Sequence, residues 1–266
     1  MSDVVVTDHQ HIRQLLEFCF TDSTPERLIG FDHIGGLNTL LNTLAAGSLL
    51  AVPASRSPAD VAATIARHHV AILPASPTFL NLLLAAGVAG DLASLRVITY
   101  GTEPMPESLL VRLKAAFPRV RFIQTFGTSE TCITRTVSPE AGSTFLRFED
   151  PDLEWKVIDD ELWLRSRTQI AGYLNASNER FTADGWFRTG DKVELGPEGT
   201  LRILGRLGEV INVGGEKLMP AEVESVLLGL PLVLDCRVSG VASALVGQAV
   251  VAEVVAAPGA DHEQLR

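Results

Sequence analysis

Apolar runs and helical patterns alternate along the first half of the chain. "LIGFD" (28–32) has the uninterrupted apolar texture of a strand, and "GLNTLLNTLAAG" (36–47) spaces its apolar residues as a helix does. "SLLAV" (48–52) reads as a second strand. "SPADVAATIARHH" then opens a helix, with Ser57 as cap and Pro58 in the first turn, where a missing N–H costs nothing. "VAIL" (70–73) is a short buried strand, and "SPTFLNLLLAAG" repeats the Ser-Pro helix start before ending at a glycine. "LRVITYG" (95–101) is extended, "PESLLVRLKAAF" helical, and "VRFIQTFG" (120–127) extended again. Strand, helix, strand at this rhythm predicts right-handed crossovers and a mainly parallel α/β sheet with flanking helices.

After about residue 135 the texture changes. "EWKVIDDELWLRS" carries two extended runs around an Asp-Asp turn, and "DKVELGPEGTLRILGR" reads as a hairpin with a Gly-Pro-Glu-Gly turn. These predict a small antiparallel β unit. From Gly205 onward, "EVINVGG", the helical "PAEVESVLLGL" and extended runs near "LDCRVSG" and "QAVVAEVVAA" predict a compact C-terminal α+β module. The expected organisation is a parallel α/β subdomain over 1–135, a β-rich subdomain over 136–204 and a partial α+β module over 205–266. The chain opens on the strand-like "DVVVTD" and stops in "ADHEQLR", a helix start.

Charge and composition remove several classes of function. A formal net charge of −10 leaves no basic excess to displace counterions, which argues against a nucleic-acid or anionic-membrane surface. Backbone N–H groups can still hold one phosphorylated ligand locally. The three cysteines, Cys19, Cys132 and Cys236, have no C-x-x-C spacing; a reducing cytoplasm is expected, with neither a disulfide framework nor a zinc site. No secretory signal and no membrane span are read from the sequence. His9/His11 and His68/His69 are paired but lack acidic or cysteine partners at ligand spacing. No G-x-S-x-G elbow occurs, so a serine hydrolase is not expected.

Four clusters carry candidate chemistry. "YGTEPMP" (100–106) runs from a strand end into a turn and a helix, and ligands bind outside the carboxyl ends of parallel strands; taken alone, a turn and helix cap is the better explanation. "TFGTSE" (125–130) sets the hydroxyls of Thr128 and Ser129 beside Glu130, a set suited to phosphate oxygens and Mg²⁺, or to a capped helix start. "WFRTGD" places Asp191 after Gly190, where a carboxylate accepts two hydrogen bonds from a diol or simply closes an Asx turn. "GRLGEVINVGGEKLMPAEVE" (205–224) offers Arg206 as a forked donor and Gly208, Gly214 and Gly215 as pliant backbone, with Lys217 readable as a solvated strand charge.

In this order and spacing the four motifs resemble the adenylate-forming superfamily, which holds acyl- and aryl-CoA synthetases, peptide-synthetase adenylation domains and luciferases. The resemblance runs over essentially the whole chain. It implies activation of a carboxylic acid by ATP to an acyl-adenylate, then transfer to the thiol of CoA or of a carrier protein's phosphopantetheine. Position by position it implies Asp191 and Arg206 as ribose ligands and Glu130 as the Mg²⁺ ligand. Thr128 and Ser129 would lie near the α-phosphate, where the family usually has Thr at the second position. Gly101, Thr102 and Glu103 would wall the adenine. "GFDHIGG" (30–36) resembles the acid-pocket motif through Asp32, His33 and Gly35. Its His-Ile-Gly-Gly favours the CoA-synthetase branch, while Phe-Asp also resembles the amino-acid-activating branch. Gly208 occupies the hinge, where the family commonly carries Asp or Lys, and Gly214 and Gly215 the thiol tunnel. The family's phosphate loop is expected before "VVVTDHQH" and its C-terminal Gly-Lys motif after Arg266. The resemblance therefore leaves two classes open: a ligase completed by further segments or a second chain, or a non-catalytic relative that binds a nucleotide, an acid or a protein.

Overall fold

The computed structural model describes residues 34–51, 53–139, 143–243 and 245–260, so the strands expected in "DVVVTD" and "LIGFD" and the helix start in "ADHEQLR" lie outside the described residues. Helix α1 (Ile34–Ala45) takes the first helical pattern. The run at 48–52 departs from expectation. Ser48 donates its N–H back to the Thr43 carbonyl at 3.0 Å, finishing the helix end, and residues 48–50 join no strand. Leu50 and Ala51 are buried, and Ala51 forms a single β-bridge, while Val52 lies outside the described residues.

Helices α2 (Pro58–His68) and α3 (Pro77–Ala85) start as their Ser-Pro pairs predict: Ser57 Oγ accepts the Asp60 N–H at 3.1 Å, and Ser76 Oγ that of Phe79 at 3.2 Å. Between and after them run β1 (Ile72–Ala75), β2 (Val97–Tyr100), α4 (Glu107–Ala116) and β3 (Arg121–Gln124). The strands form a parallel sheet in the order β1-β2-β3. Ile65, Leu80, Leu83, Leu109, Leu110 and Leu113 from the three helices close over it in one core with Leu73 and Ile98. Burying each such side chain contributes about 1.5–3 kcal/mol.

The extended run 120–127 breaks at Thr125, whose N–H and hydroxyl both bond to the Tyr100 carbonyl, at 2.7 and 3.1 Å. Beyond it, β4 (Phe126–Thr128) turns back on β5 (Cys132–Thr134) as a hairpin. An antiparallel sheet follows, built from β8 (Leu153–Ile158), β9 (Glu161–Ser166), β10 (Phe187–Leu195) and β11 (Leu201–Arg206) in the order β11-β10-β9-β8, with short β6 (Thr136–Val137) and β7 (Arg147–Phe148) beside it. Its core holds Leu153, Leu162, Leu164, Val193 and Leu201, and Phe126 packs against it from the hairpin. The Asp-Asp turn is tight: Asp159 and Asp160 both take positive φ, 52° and 64°.

A third sheet has the order β13-β12-β15-β14, from β12 (Ile211–Val213), β13 (Glu216–Leu218), β14 (Val233–Ser243) and β15 (Gly247–Ala256), with α5 (Pro220–Leu227) against β14. It is tied to the first core by side chains. Asn81 donates to the Leu234 carbonyl at 3.0 Å and to Asp235 at 3.1 Å, and the Ser108 hydroxyl donates to the Ser225 carbonyl at 2.7 Å. Among the described residues no helix is long and apolar enough to cross a membrane.

Candidate active site

The three parallel strands end level, because Ala75, Tyr100 and Gln124 are register partners. The loops that follow them share one edge, the place where α/β sheets bind ligands. A Cβ at Gly101 would stand 2.6 Å from the Thr125 carbonyl oxygen, so only glycine lets the two loops approach this closely. Thr102 takes a left-handed φ of 73°. Glu103 points back to α3, accepting the Thr78 N–H and the Thr78 hydroxyl, each at 2.8 Å.

A cavity of about 610 Å³ opens at this edge. Residues 101–103 and Gln124 form one wall, Asp191, Arg206 and Gly208 a second, and Glu224 and Arg237 of the third sheet's side a third. Gln124 is buried and its Oε1 has no hydrogen-bond partner. A buried acceptor without a partner is rare in folded proteins, and this one belongs to a residue that lines the cavity. Burial raises the Glu224 carboxyl, against the opposing pull of the Val238 N–H at 2.8 Å, with Glu103, Asp235 and Glu209 adding to the rise.

Asp191 is aimed by a bulge. Arg188 pairs with Trp163 and Lys192 with Glu161, so three residues of β10 face a single residue of β9. Glu161 holds the bulge: its carboxylate accepts the Gly190 N–H at 3.0 Å and the Trp163 indole N–H at 3.1 Å. The Thr189 hydroxyl donates to the Leu162 carbonyl at 2.8 Å and accepts the Asp191 N–H at 3.0 Å. Gly190, at φ 74°, lets the Arg180 guanidinium lie 3.5 Å from where a Cβ would be. The Asp191 side chain is thereby buried, with Arg206 Nη1 at 3.1 Å from Oδ1. Burial raises its carboxyl above the ordinary value. Arg206, the Thr189 hydroxyl and Arg180 pull it down, and Glu130 pushes it up.

The motif holding Glu130 is a strand and a hairpin turn, not a helix start. Thr128 Oγ1 meets the Thr131 hydroxyl at 3.0 Å and the Thr131 N–H at 3.1 Å, so that hydroxyl closes the turn carrying Ser129 and Glu130. The Glu130 carbonyl accepts the Ile170 N–H at 2.8 Å, and its Oε1 accepts the Tyr173 hydroxyl. Desolvation, then this bond, pushes the Tyr173 hydroxyl up to about 12. Thr128, Ser129 and Glu130 do not line the cavity, but Glu130 is within electrostatic reach of Asp191.

Gly208 sits in a single 3₁₀ turn (Leu207–Glu209), with open space where its Cβ would be. Gly214 and Gly215, at φ 60° and 98°, form the two-residue turn between β12 and β13 and do not line the cavity. Gly35 lies in the first turn of α1; Asp32 and His33 lie outside the described residues. Among the described residues, no three His, Cys, Asp or Glu side chains gather as a metal site. Gln124, Tyr173, Arg180 and Glu161 escape sequence reading. Only Gln124 carries a usable signal, an amide at the carboxyl end of a parallel strand.

The family described as AMP-binding enzyme matches residues 5–174. A 2-succinylbenzoate–CoA ligase of Bacillus licheniformis is 32% identical over 249 residues, which are 88% of this chain and 52% of that protein. The 4-coumarate–CoA ligase-like 3 of Oryza sativa subsp. japonica is 29% identical over 86% of this chain and 43% of its own length. The chain thus spans about half the length of these relatives. Among solved structures, the o-succinylbenzoate CoA synthetase of Bacillus subtilis in complex with its acyl-adenylate intermediate superposes with a TM-score of 0.69 at 28% identity, covering 98% of this chain and 58% of that one. The same synthetase with ATP and a magnesium ion gives 0.68 at 27% identity, covering 97% of this chain and 58% of that one.

Proposed function

We propose, from the premise that this chain belongs to the AMP-binding enzyme family, that it forms the nucleotide side of an enzyme activating a carboxylic acid with ATP. The acid's carboxylate oxygen attacks the α-phosphorus and pyrophosphate leaves; the thiol of CoA or of a carrier-bound phosphopantetheine then attacks the acyl carbon of the acyl-adenylate, forming the thioester and releasing AMP. The observation that carries this reading is the meeting of the buried Asp191 and its partner Arg206 with residues 101–103 on one cavity.

The donor set suits the nucleotide. Asp191, acceptor-only when ionised, takes both hydroxyls of a ribose diol in charge-assisted hydrogen bonds, and Arg206 donates beside it. Gln124 Oε1 is the unpartnered acceptor for the exocyclic amine of adenine, beside the wall formed by residues 101–103. Glu130, with one oxygen engaged by Tyr173, leaves the other for magnesium. A single carboxylate plus substrate phosphates and water is an ordinary Mg²⁺ environment. Bound there, magnesium neutralises phosphate charge; Thr128 and Ser129 place hydroxyls near the α-phosphate. Asp32, His33 and Gly35 belong to the acid pocket, Gly208 to the hinge, and Gly214 and Gly215 to the thiol side.

AMP titration by calorimetry tests the site, and ATP–pyrophosphate exchange across a panel of acids tests the chemistry. Saturable AMP binding that depends on Asp191 supports the reading. No heat of binding at millimolar AMP overturns it.

A further inference from the structure

Glu130 and Asp191 stand on different sheets, the first on the turn between β4 and β5 and the second on the bulge of β10. One loop touches both. At its start, the Tyr173 hydroxyl donates to Glu130. At its end, Arg180 Nη1 donates to the Thr189 carbonyl at 3.3 Å, and the guanidinium lies over Gly190. The same carbonyl receives Arg206 Nη1 at 2.7 Å, so two guanidiniums grip the peptide next to Asp191.

The loop is braced internally. Asn178 Oδ1 accepts the Tyr173 N–H at 2.6 Å, its amide donates back to the Tyr173 carbonyl at 3.3 Å, and its own carbonyl accepts the Phe181 N–H at 2.9 Å. Gly172 makes this closure possible, since a Cβ there would stand 2.8 Å from Asn178 Oδ1. Aromatic contacts fasten the loop to the sheet. The Phe181 ring lies 5.4 Å from that of Tyr173 and 5.0 Å from that of Phe187 on β10. The tip between these anchors is exposed, with Leu174 almost wholly in solvent, so the loop's contacts are concentrated at its two ends.

We propose that the loop 172–181 is a staple that fixes the spacing between Glu130 and Asp191, with Tyr173 and Arg180 as positioning residues at its ends. The inference rests on the nucleotide reading above. Under that reading, Glu130 faces the phosphates and Asp191 the ribose, so their separation must match one nucleotide. Arg180 and Tyr173 act through the two carboxylates and not on the ligand. A misplacement of about 1 Å at such a pair is enough to lower affinity or rate substantially.

A double-mutant cycle tests the proposal, with Mg-ATP affinity of the full chain by calorimetry as the readout and thermal unfolding as the check on folding. Y173F and R180A are each expected to weaken Mg-ATP roughly threefold to tenfold. Together they should weaken it by clearly less than the product of the single losses, because cutting either end already frees the staple. A combined loss equal to that product means two independent contacts and overturns the proposal. R180K retains the charge; full recovery of affinity in it would assign the effect to charge alone and also overturn a positioning role. D191N separates the two readings. If D191N binds Mg-ATP like the wild type, the nucleotide site is misassigned. If D191N is weakened while Y173F and R180A are not, the staple alone fails.

Discussion

Replacing Asp191 by Asn changes one oxygen of a buried group into a nitrogen and leaves its shape almost untouched. The backbone around it keeps its support, since the Asp191 N–H still meets the Thr189 hydroxyl at 3.0 Å and Arg206 still holds the Thr189 carbonyl at 2.7 Å. Hydrogen bonds to a charged group are worth about 1.5–3 kcal/mol each, against about 1 kcal/mol for neutral ones. The Asn variant keeps one acceptor, now neutral, and turns the other toward a ribose hydroxyl as a donor. One charge-assisted bond is lost and the second weakened, a cost of about 2–3 kcal/mol, or roughly 30- to 150-fold in the AMP dissociation constant. Stability should move the other way. Burial raises the Asp191 carboxyl in the fold, so the stability it contributes is full below its unfolded value and is lost as pH rises through the raised folded value. At pH 7 the wild type carries that burden and the Asn variant does not. Calorimetric titration with AMP should therefore show weaker binding, while melting at pH 7 shows an equal or higher Tm, with the difference shrinking toward pH 4. AMP affinity within threefold of the wild type would remove Asp191 from the nucleotide site. A Tm several degrees lower at pH 7 would refute the argument from burial.

Gly101→Ala forces a Cβ to within 2.6 Å of the Thr125 carbonyl oxygen, and the two loops must separate at a cost of about 1–3 kcal/mol. A Tm lower by several degrees together with weakened AMP binding is expected, and an unchanged melt contradicts the close approach. The two tyrosines, Tyr100 and Tyr173, are both pushed up to about 12, chiefly by desolvation. Their stabilising effect holds below the unfolded value near 10 and is lost as pH climbs toward 12, so tyrosinate absorbance should rise together with unfolding. A full step near pH 10 with the far-UV circular dichroism intact would show the hydroxyls to be ordinary. Gly208→Pro stiffens the 3₁₀ turn at a position where nothing lies within 4 Å of an added Cβ. It should leave AMP binding within about twofold and abolish thiol transfer, as rigid hinge positions do; equal loss of both steps removes Gly208 from a hinge role.

The regular elements were legible where their signals are local. Ser57-Pro58 and Ser76-Pro77 each start a helix, because the hydroxyl and the fixed ring angle act within one turn, whereas Ser138-Pro139, with no apolar helical pattern after it, does not. Asp191 and Arg206 stood out only through the order and spacing of the four motifs, since an Asx turn by itself explains a carboxylate after a glycine. What was hidden is long-range. Glu161 meets Gly190 from 29 positions away, and Tyr173 meets Glu130 from 43, so no window of sequence displays either contact. "SLLAV" misled for a related reason. Apolar, β-prone residues satisfy a strand pattern and a core-filling coil equally well, and only the neighbouring backbone decides whether a ladder forms.

The register of β10 on β11 shows how a distant turn governs the site. Counting back from the turn, Leu195 pairs with Leu201, Glu194 with Arg202 and Val193 with Ile203. Continued without interruption, that register would set Lys192 against Leu204 and Asp191 against Gly205, sending Arg206 to the opposite face. Instead the pairing shifts after Val193, Leu204 is left without a counterpart, and Asp191 meets Arg206. Gly205 makes the shift possible with a φ of 140°, where a Cβ would also strike Met219 at 2.6 Å. The ion pair thus depends on a one-residue bulge in β11 and on the two extra residues that β10 sets against β9. Each bulge costs ladder hydrogen bonds. Their joint effect is to point one acid and one base into the same 610 Å³ space, which is what a site selected for a ligand, and not for stability, is expected to show.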